Sequence, residues 1–350
     1  MTKRAAIILS GGKSERFQSE NVTWQDKALF EFLGKPLLIH AVENVQNFVE
    51  ETVIIVNDEN RKDKYSKLLT TNSIDNIRLL IDEKIDNLGG PLVAILTGLK
   101  SVEAEYCLTL PCDMPRLQQK VIEYLFKTAK DSLVVVPMWP NGRMETLTMV
   151  LERKSTLKIA NLLCHLKRPR SDDIIRGVLK VLFVSTVGEL AALDPELKSF
   201  VNINNREDLT RLQPRRVQGP VTENTRLDLG SLSTVEIQSL QDGIKELKEK
   251  RFTEAAKIFA FCASKLEKEK QFFWAAISRE NEGKSLLKQT QRKRDQASLV
   301  GHVPGGKKAL MKAVANYELE ADMHERNGYF FLAERARSDK AWCEAYFGRL

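Results

Sequence analysis

Through the first two hundred residues, short apolar runs alternate with longer amphipathic stretches. Residues 5–9, 52–56, 77–81, 106–110, 133–137 and 181–184 are runs of strand length, several rich in β-branched side chains. Between them the spacing changes to that of helices. Leu37, Leu38, Ala41, Val42 and Val45 fall on one face of a helix predicted over 36–48, with Pro36 suited to its first turn. Pro91 opens a second helix through Leu92, Ile95, Leu96 and Leu99, a polar helix follows the strand at 52–56, and another covers 157–166. Asn141-Gly142 is a tight hairpin signal leading to a strand over 146–151. This alternation predicts an α/β fold, a Rossmann-like doubly wound layer around a mostly parallel sheet, with ligands at the carboxyl ends of the strands.

The first strand runs into Ser10-Gly11-Gly12-Lys13-Ser14-Glu15-Arg16. Without a Cβ, Gly11 and Gly12 let the backbone lie against an anion with its N–H groups turned inward, a geometry that suits a triphosphate. A Walker loop would need a glycine where Ile7 stands, and a dinucleotide fingerprint would need glycines at Lys13 and Arg16, so both are excluded. Other chemistry-bearing residues also stand at strand ends: Asn57, Asp82 and Asp113. Asn57 and Asp82 also suit the commoner task of capping the next helix. Asp113, in Pro111-Cys112-Asp113-Met114-Pro115, suits a turn between prolines. A carboxylate beside a phosphate loop is also what Mg²⁺ needs, because magnesium keeps several waters and takes one or two protein oxygens. Asp113 is the metal candidate.

Leu9-Ser10-Gly11-Gly12-Lys13-Ser14 with Arg16 and a downstream Asp26-Lys27 resembles the nucleotidyltransferases that build sugar nucleotides and dinucleotide cofactors, above all the molybdenum cofactor guanylyltransferase family. The resemblance implies a nucleotide-diphospho-sugar transferase type of fold, with Leu9, Ser10, Gly11, Gly12, Lys13, Lys27, Asn57, Asp82 and Asp113 on the nucleotide. It implies catalysis by Arg16, Lys27 and Asp113, with GTP as substrate, Mg²⁺ as cofactor and the molybdenum-pterin monophosphate as acceptor. Arg143 and the pair Asn202 and Asn204, in a segment like the family's closing Asn-x-Asn, become acceptor-binding candidates. The gap between Arg16 and Lys27 is longer than in the family. Spacing alone does not separate guanine from cytosine. A related cytidylyl- or guanylyltransferase acting on another phosphorylated acceptor stays open, as does a non-catalytic nucleotide-sensing regulator working through helical repeats.

The chain has 350 residues, enough for two domains, and 43% hydrophobic residues, enough for packed cores. The expected division is a nucleotidyltransferase domain over 1–212, a linker over 213–231 and a helical domain over 232–350. Laying Ala263 on Ala321 matches Glu267 with Glu325, Phe272-Phe273 with Phe330-Phe331, Ala275 with Ala333 and Arg279 with Arg337. This internal repeat resembles a tetratricopeptide array, which implies a protein partner or self-association, as does a plain bundle. Residues 288–312, with Arg292-Lys293-Arg294 and Lys307-Lys308, read as a basic mobile insert, and the lack of interleaved aromatics argues against nucleic acid. The net charge of +7 suits anionic ligands, and five scattered cysteines signal neither a disulfide framework nor a zinc site. With no apolar run of membrane-spanning length and no signal sequence read, a cytoplasmic protein is expected.

Overall fold

The structure, a computed structural model, describes residues 2–12, 25–86, 88–205, 208, 214, 217–297 and 304–348. Two compact units divide the chain at Asp228 and Leu229.

In the first unit, β1 (Arg4–Leu9) leads to a short hairpin of β2 (Glu31–Phe32) and β3 (Lys35–Pro36), then α1 (Leu37–Val45) and β4 (Glu51–Val56). α2 (Glu59–Thr71), β5 (Ile77–Ile81), α3 (Pro91–Ser101) and β6 (Tyr106–Pro111) follow. The second half runs α4 (Gln119–Thr128), β7 (Val134–Met138), β8 (Val150–Glu152), α5 (Arg153–His165), α6 (Asp172–Val178), β9 (Lys180–Ser185), α7 (Glu189–Leu193) and β10 (Thr225–Asp228). Eight strands form one sheet in the order β10-β9-β7-β8-β6-β1-β4-β5. The pairs β1–β4, β1–β6, β4–β5 and β7–β9 are parallel, while β8 runs antiparallel to β6 and β7, and β10 to β9. The architecture is therefore the mostly parallel α/β layer that the strand–helix alternation implies.

β1 is central and closed in on both faces: Ala5, Ala6, Ile7 and Ile8 have no exposed surface. On one face α3 approaches so closely that a Cβ on Gly98 would lie 2.4 Å from Ile7 Cγ2. Gly98→Ala is accordingly expected to destabilise the first unit by about 1–3 kcal/mol through overpacking, read as a lower urea midpoint at unchanged slope.

Three expectations are corrected here. The strand expected over 146–151 is only Val150–Glu152, after the turn in which Gly142 takes a φ of 81°. The range 213–231 is not simply linker: Thr225–Asp228 pairs with β9, and Val221 N donates to Pro140 O at 3.0 Å. The basic range 288–312 is largely helical, as the second unit shows.

That unit comprises α8 (Thr234–Lys248), α9 (Phe252–Lys268), α10 (Phe272–Ala297), α11 (Pro304–Arg326) and α12 (Phe330–Gly348). Ser233 and Glu236 close a reciprocal capping box at the start of α8. Residues 288–297 complete α10 and residues 304–312 open α11, and small residues let the two helices pack closely. A Cβ on Gly283 would lie 3.0 Å from Gly306 O. The internal repeat has a structural counterpart: Arg279 pairs with Glu267 at 2.8 Å, and Arg337 with Glu325 at the matching position. Ala263, Ala321, Ala275 and Ala333 are all buried. All five cysteines are buried free thiols, and among the described residues no helix is long and apolar enough to cross a membrane.

Candidate active site

Sheet register gathers the site. Leu9 aligns with Ile55 of β4 and with Pro111 of β6, and Val56 aligns with Ile81 of β5. The residues that follow these four strands, Ser10, Asn57, Cys112-Asp113 and Asp82, therefore emerge along one edge of the sheet, on both sides of the central strand. They line a cavity of about 560 Å³ with Leu9, Gly11, Gly12, Asp26, Lys27, Gly89, Gly90, Pro91 and Leu147.

Each wall has a local cause. Asp26 Oδ1 accepts from Ala28 N at 3.1 Å and so caps the 3₁₀ turn that begins at Lys27. Lys27 Nζ then lies 2.5 Å from Asp113 Oδ2, with both side chains 16% exposed. Opposite, Gly90 precedes α3 at a φ of 127°, and a Cβ there would stand 2.9 Å from Pro169 O, so this turn requires glycine twice over. Pro91 opens α3 without an N–H to satisfy. Asp82 N is held by Val56 O at 2.8 Å, while its carboxylate borders the cavity, its Oδ2 3.5 Å from where a Gly11 Cβ would be. Asp82 Oδ1 is buried with no hydrogen-bond partner among the described residues, and burial pushes its carboxyl up to about 6.

Behind the loop stands a polar group that the reading of the sequence left out. α2 starts after Asp58, whose Oδ1 accepts from Arg61 N at 2.8 Å. Its inward face carries Arg61 and Tyr65, both buried. Asn57, Arg61 and Tyr65 recur every fourth residue, and this i, i+4, i+8 spacing is the signal that would have found them. Cys112 Sγ lies 3.4 Å from Ser10 Oγ, and burial, reinforced by Asp113, pushes its thiol up to about 11, which leaves it a packing group.

The acceptor candidates lie on the Asp113 side. Ile203 N donates to Asp113 O at 2.9 Å, which docks the Asn202–Asn204 segment against the strand end. Asn202 hydrogen-bonds Glu145, whose carboxyl is raised by burial and also accepts from Trp139 Nε1 at 2.6 Å. Arg143, 59% exposed, pairs with the same carboxylate at 3.7 Å. Asn204 N donates to Asp208 Oδ2 at 2.8 Å. None of Arg143, Asn202 and Asn204 borders the cavity itself. Lys13 and Arg16 lie outside the described residues.

Gly11-Gly12, Lys27 and the strand-end carboxylate of Asp113 thus stand around one cleft of an α/β sheet, an arrangement suited to nucleotidyl transfer. The model of the MobA-like NTP transferase domain matches residues 6–181, and the chain belongs to that family. The chain is 33% identical over 209 residues to a probable molybdenum cofactor guanylyltransferase of Methanosarcina acetivorans, a match that spans 59% of this chain and 88% of that protein. It is 32% identical to the molybdenum cofactor guanylyltransferase of Desulfosudis oleivorans, over 59% of this chain and 93% of the other. Among solved structures it is similar to molybdopterin-guanine dinucleotide biosynthesis protein A of Archaeoglobus fulgidus, with 22% identity, a TM-score of 0.48, and coverage of 60% of this chain and 96% of that one. The helical unit lies outside the residues that the family model matches.

Proposed function

We propose that the chain transfers GMP from GTP to the phosphate of a molybdenum-pterin cofactor, releasing pyrophosphate and giving the guanine dinucleotide form. The observation that carries this reading is the convergence of the glycine loop, Lys27, Asp113 and a partnerless Asp82 oxygen on one cavity of about 560 Å³. Similarity to molybdenum cofactor guanylyltransferases supports the choice of acceptor.

A phosphate oxygen of the acceptor attacks the α-phosphorus. The new P–O bond forms as the bond to the bridging α–β oxygen breaks, and both bonding electrons leave with pyrophosphate. The nucleophile is already an anion, so no general base is needed. The chain's part is to position the reactants and neutralise charge. The loop amides and Lys27 face the triphosphate, while Asp82, an acceptor-only group when ionised, matches the N–H donors on the edge of guanine. The residues also fit a magnesium ion. Asp113 offers one carboxylate at the cavity wall, which is what an ion held chiefly by phosphates and water asks of a protein. Asp113 would hold it, and when bound it offsets the negative charge of the phosphates.

The test is pyrophosphate release from each of the four nucleoside triphosphates with Mg²⁺, with and without the molybdenum-pterin monophosphate. Release confined to GTP and dependent on that acceptor is the expected result. Turnover with CTP would remove the guanine assignment, and GTP binding without release for any phosphorylated acceptor would make the first unit a sensor.

A further inference from the structure

We infer that Arg61 is a positioning residue that sets the glycine loop and the Lys27 arm in one frame, an inference that rests on the nucleotide-site reading above. Its side chain is only 5% exposed and reaches at least four groups among the described residues. Nη1 donates to Ser10 O and to Asn57 Oδ1, both at 3.1 Å, and Nη2 donates to Gly12 O at 2.9 Å. Nε forms an ion pair with Asp26 Oδ2 at 2.8 Å. The same Asp26 oxygen accepts from Tyr65 OH at 3.0 Å, and Tyr65 OH shares a 2.8 Å hydrogen bond with Ser10 Oγ. Burial holds the Tyr65 phenol protonated, far above its ordinary range, so it stays a donor to Asp26.

The contacts close a ring through Ser10, Tyr65, Asp26 and Arg61. Their consequence for a triphosphate follows from peptide geometry. In a planar trans peptide the C=O and the next N–H point opposite ways. Holding the Ser10 carbonyl toward Arg61 therefore turns the Gly11 N–H away from it, on a loop that lines the cavity. The other end of the ring acts on Lys27, because Asp26 caps the turn that carries it. Gly12 and Asp26 flank residues 13–25 in the sequence, and one guanidinium ties both. A lysine supplies a point charge but no fork able to meet two carbonyls, an amide and a carboxylate together. Arg61 need not touch the nucleotide to act, since misplacing a cradle by about 1 Å is enough to lose about a hundredfold in rate.

The experiment is calorimetric binding of GTP with Mg²⁺ to the full chain and to Arg61→Ala, Arg61→Lys and Tyr65→Phe, each repeated with added ethylguanidinium. Arg61→Ala and Arg61→Lys are expected to weaken binding at least about tenfold, and Tyr65→Phe about threefold. Ethylguanidinium is expected to restore most of the affinity of Arg61→Ala and to leave wild type unchanged. Affinity within about twofold of wild type in a folded Arg61→Ala, or a loss that ethylguanidinium does not answer while Tyr65→Phe is silent, overturns the inference. Should Arg61→Ala lack a cooperative melt, Arg61→Lys and Tyr65→Phe decide by the same thresholds. Turnover is scored separately: a chain that binds GTP without releasing pyrophosphate fails the proposed reaction, while the ring is still judged on affinity.

Discussion

Lys27→Ala and Asp113→Asn are each expected to slow pyrophosphate release by about 10²–10³-fold while leaving the melt nearly unchanged. On the proposed mechanism each group acts where charge develops on the leaving pyrophosphate, and that makes the effect large. The small effect on stability has a separate cause. The two side chains pair at 2.5 Å but remain 16% exposed, so water still reaches a partner left alone. Because the proposed mechanism has them work as a unit on the same phosphates, Lys27→Ala/Asp113→Asn is expected to be little slower than either single variant. The check is kcat from initial rates beside a thermal melt. Near-normal kcat in either single variant would move the reacting centre elsewhere in the cavity.

Asp82→Asn carries the second large effect, on base choice. The carboxylate only accepts, whereas asparagine also presents an N–H₂ to the donors of a guanine edge. Its kcat/KM for GTP is expected to fall about a hundredfold, with far smaller losses for the other triphosphates, so that preference for GTP nearly disappears. The pH dependence follows from the carboxyl that burial raises to about 6. On the proposed reading base recognition needs the ionised form, so wild-type affinity for GTP should hold above pH 6 and fall as pH drops through it, by up to tenfold per unit. Asp82→Asn should be flat over that range. The effect on folding has the opposite sign. Burial disfavours the charged carboxylate, so the native state holds this proton more tightly than the unfolded chain. The resulting loss of stability sets in as pH rises from the ordinary carboxylate range through about 6. Equal selectivity in Asp82→Asn and wild type would show that the base lies elsewhere.

The parts of this architecture legible in the sequence are those written in local pattern. β1, β4, β6, β7 and β9 are apolar runs, as a parallel strand covered on both faces requires, and β5 at the sheet border is an apolar run broken only by the exposed Arg78. Ser10, Asn57, Asp82 and Asp113 follow at once, because they are the first polar residues after four of those runs. Arg61 and Tyr65 were hidden by the opposite situation. They lie on a helix whose other residues are mostly polar, and their burial depends on Asp26 arriving from a distant part of the chain. β10 was hidden because only Leu227 of its four residues is buried, which leaves too little apolar pattern to betray a strand. Charge and glycine give the range 288–312 the pattern of a loop, yet Gly306 serves close helix packing, where a Cβ would lie 3.0 Å from Leu287 Cγ of α10.

The pairing of β10 with β9 also bears on solubility. β9, Lys-Val-Leu-Phe-Val-Ser, is almost wholly buried along its length. As the border of the sheet it would offer a flat, apolar row of unpaired N–H and C=O groups to any passing strand. β10 takes that row and replaces it with a short border whose side chains are Thr225, Arg226, Leu227 and Asp228, of which Arg226 and Asp228 are exposed and charged. The residues that lead out of the sheet toward the helical unit thus also guard its margin against aggregation.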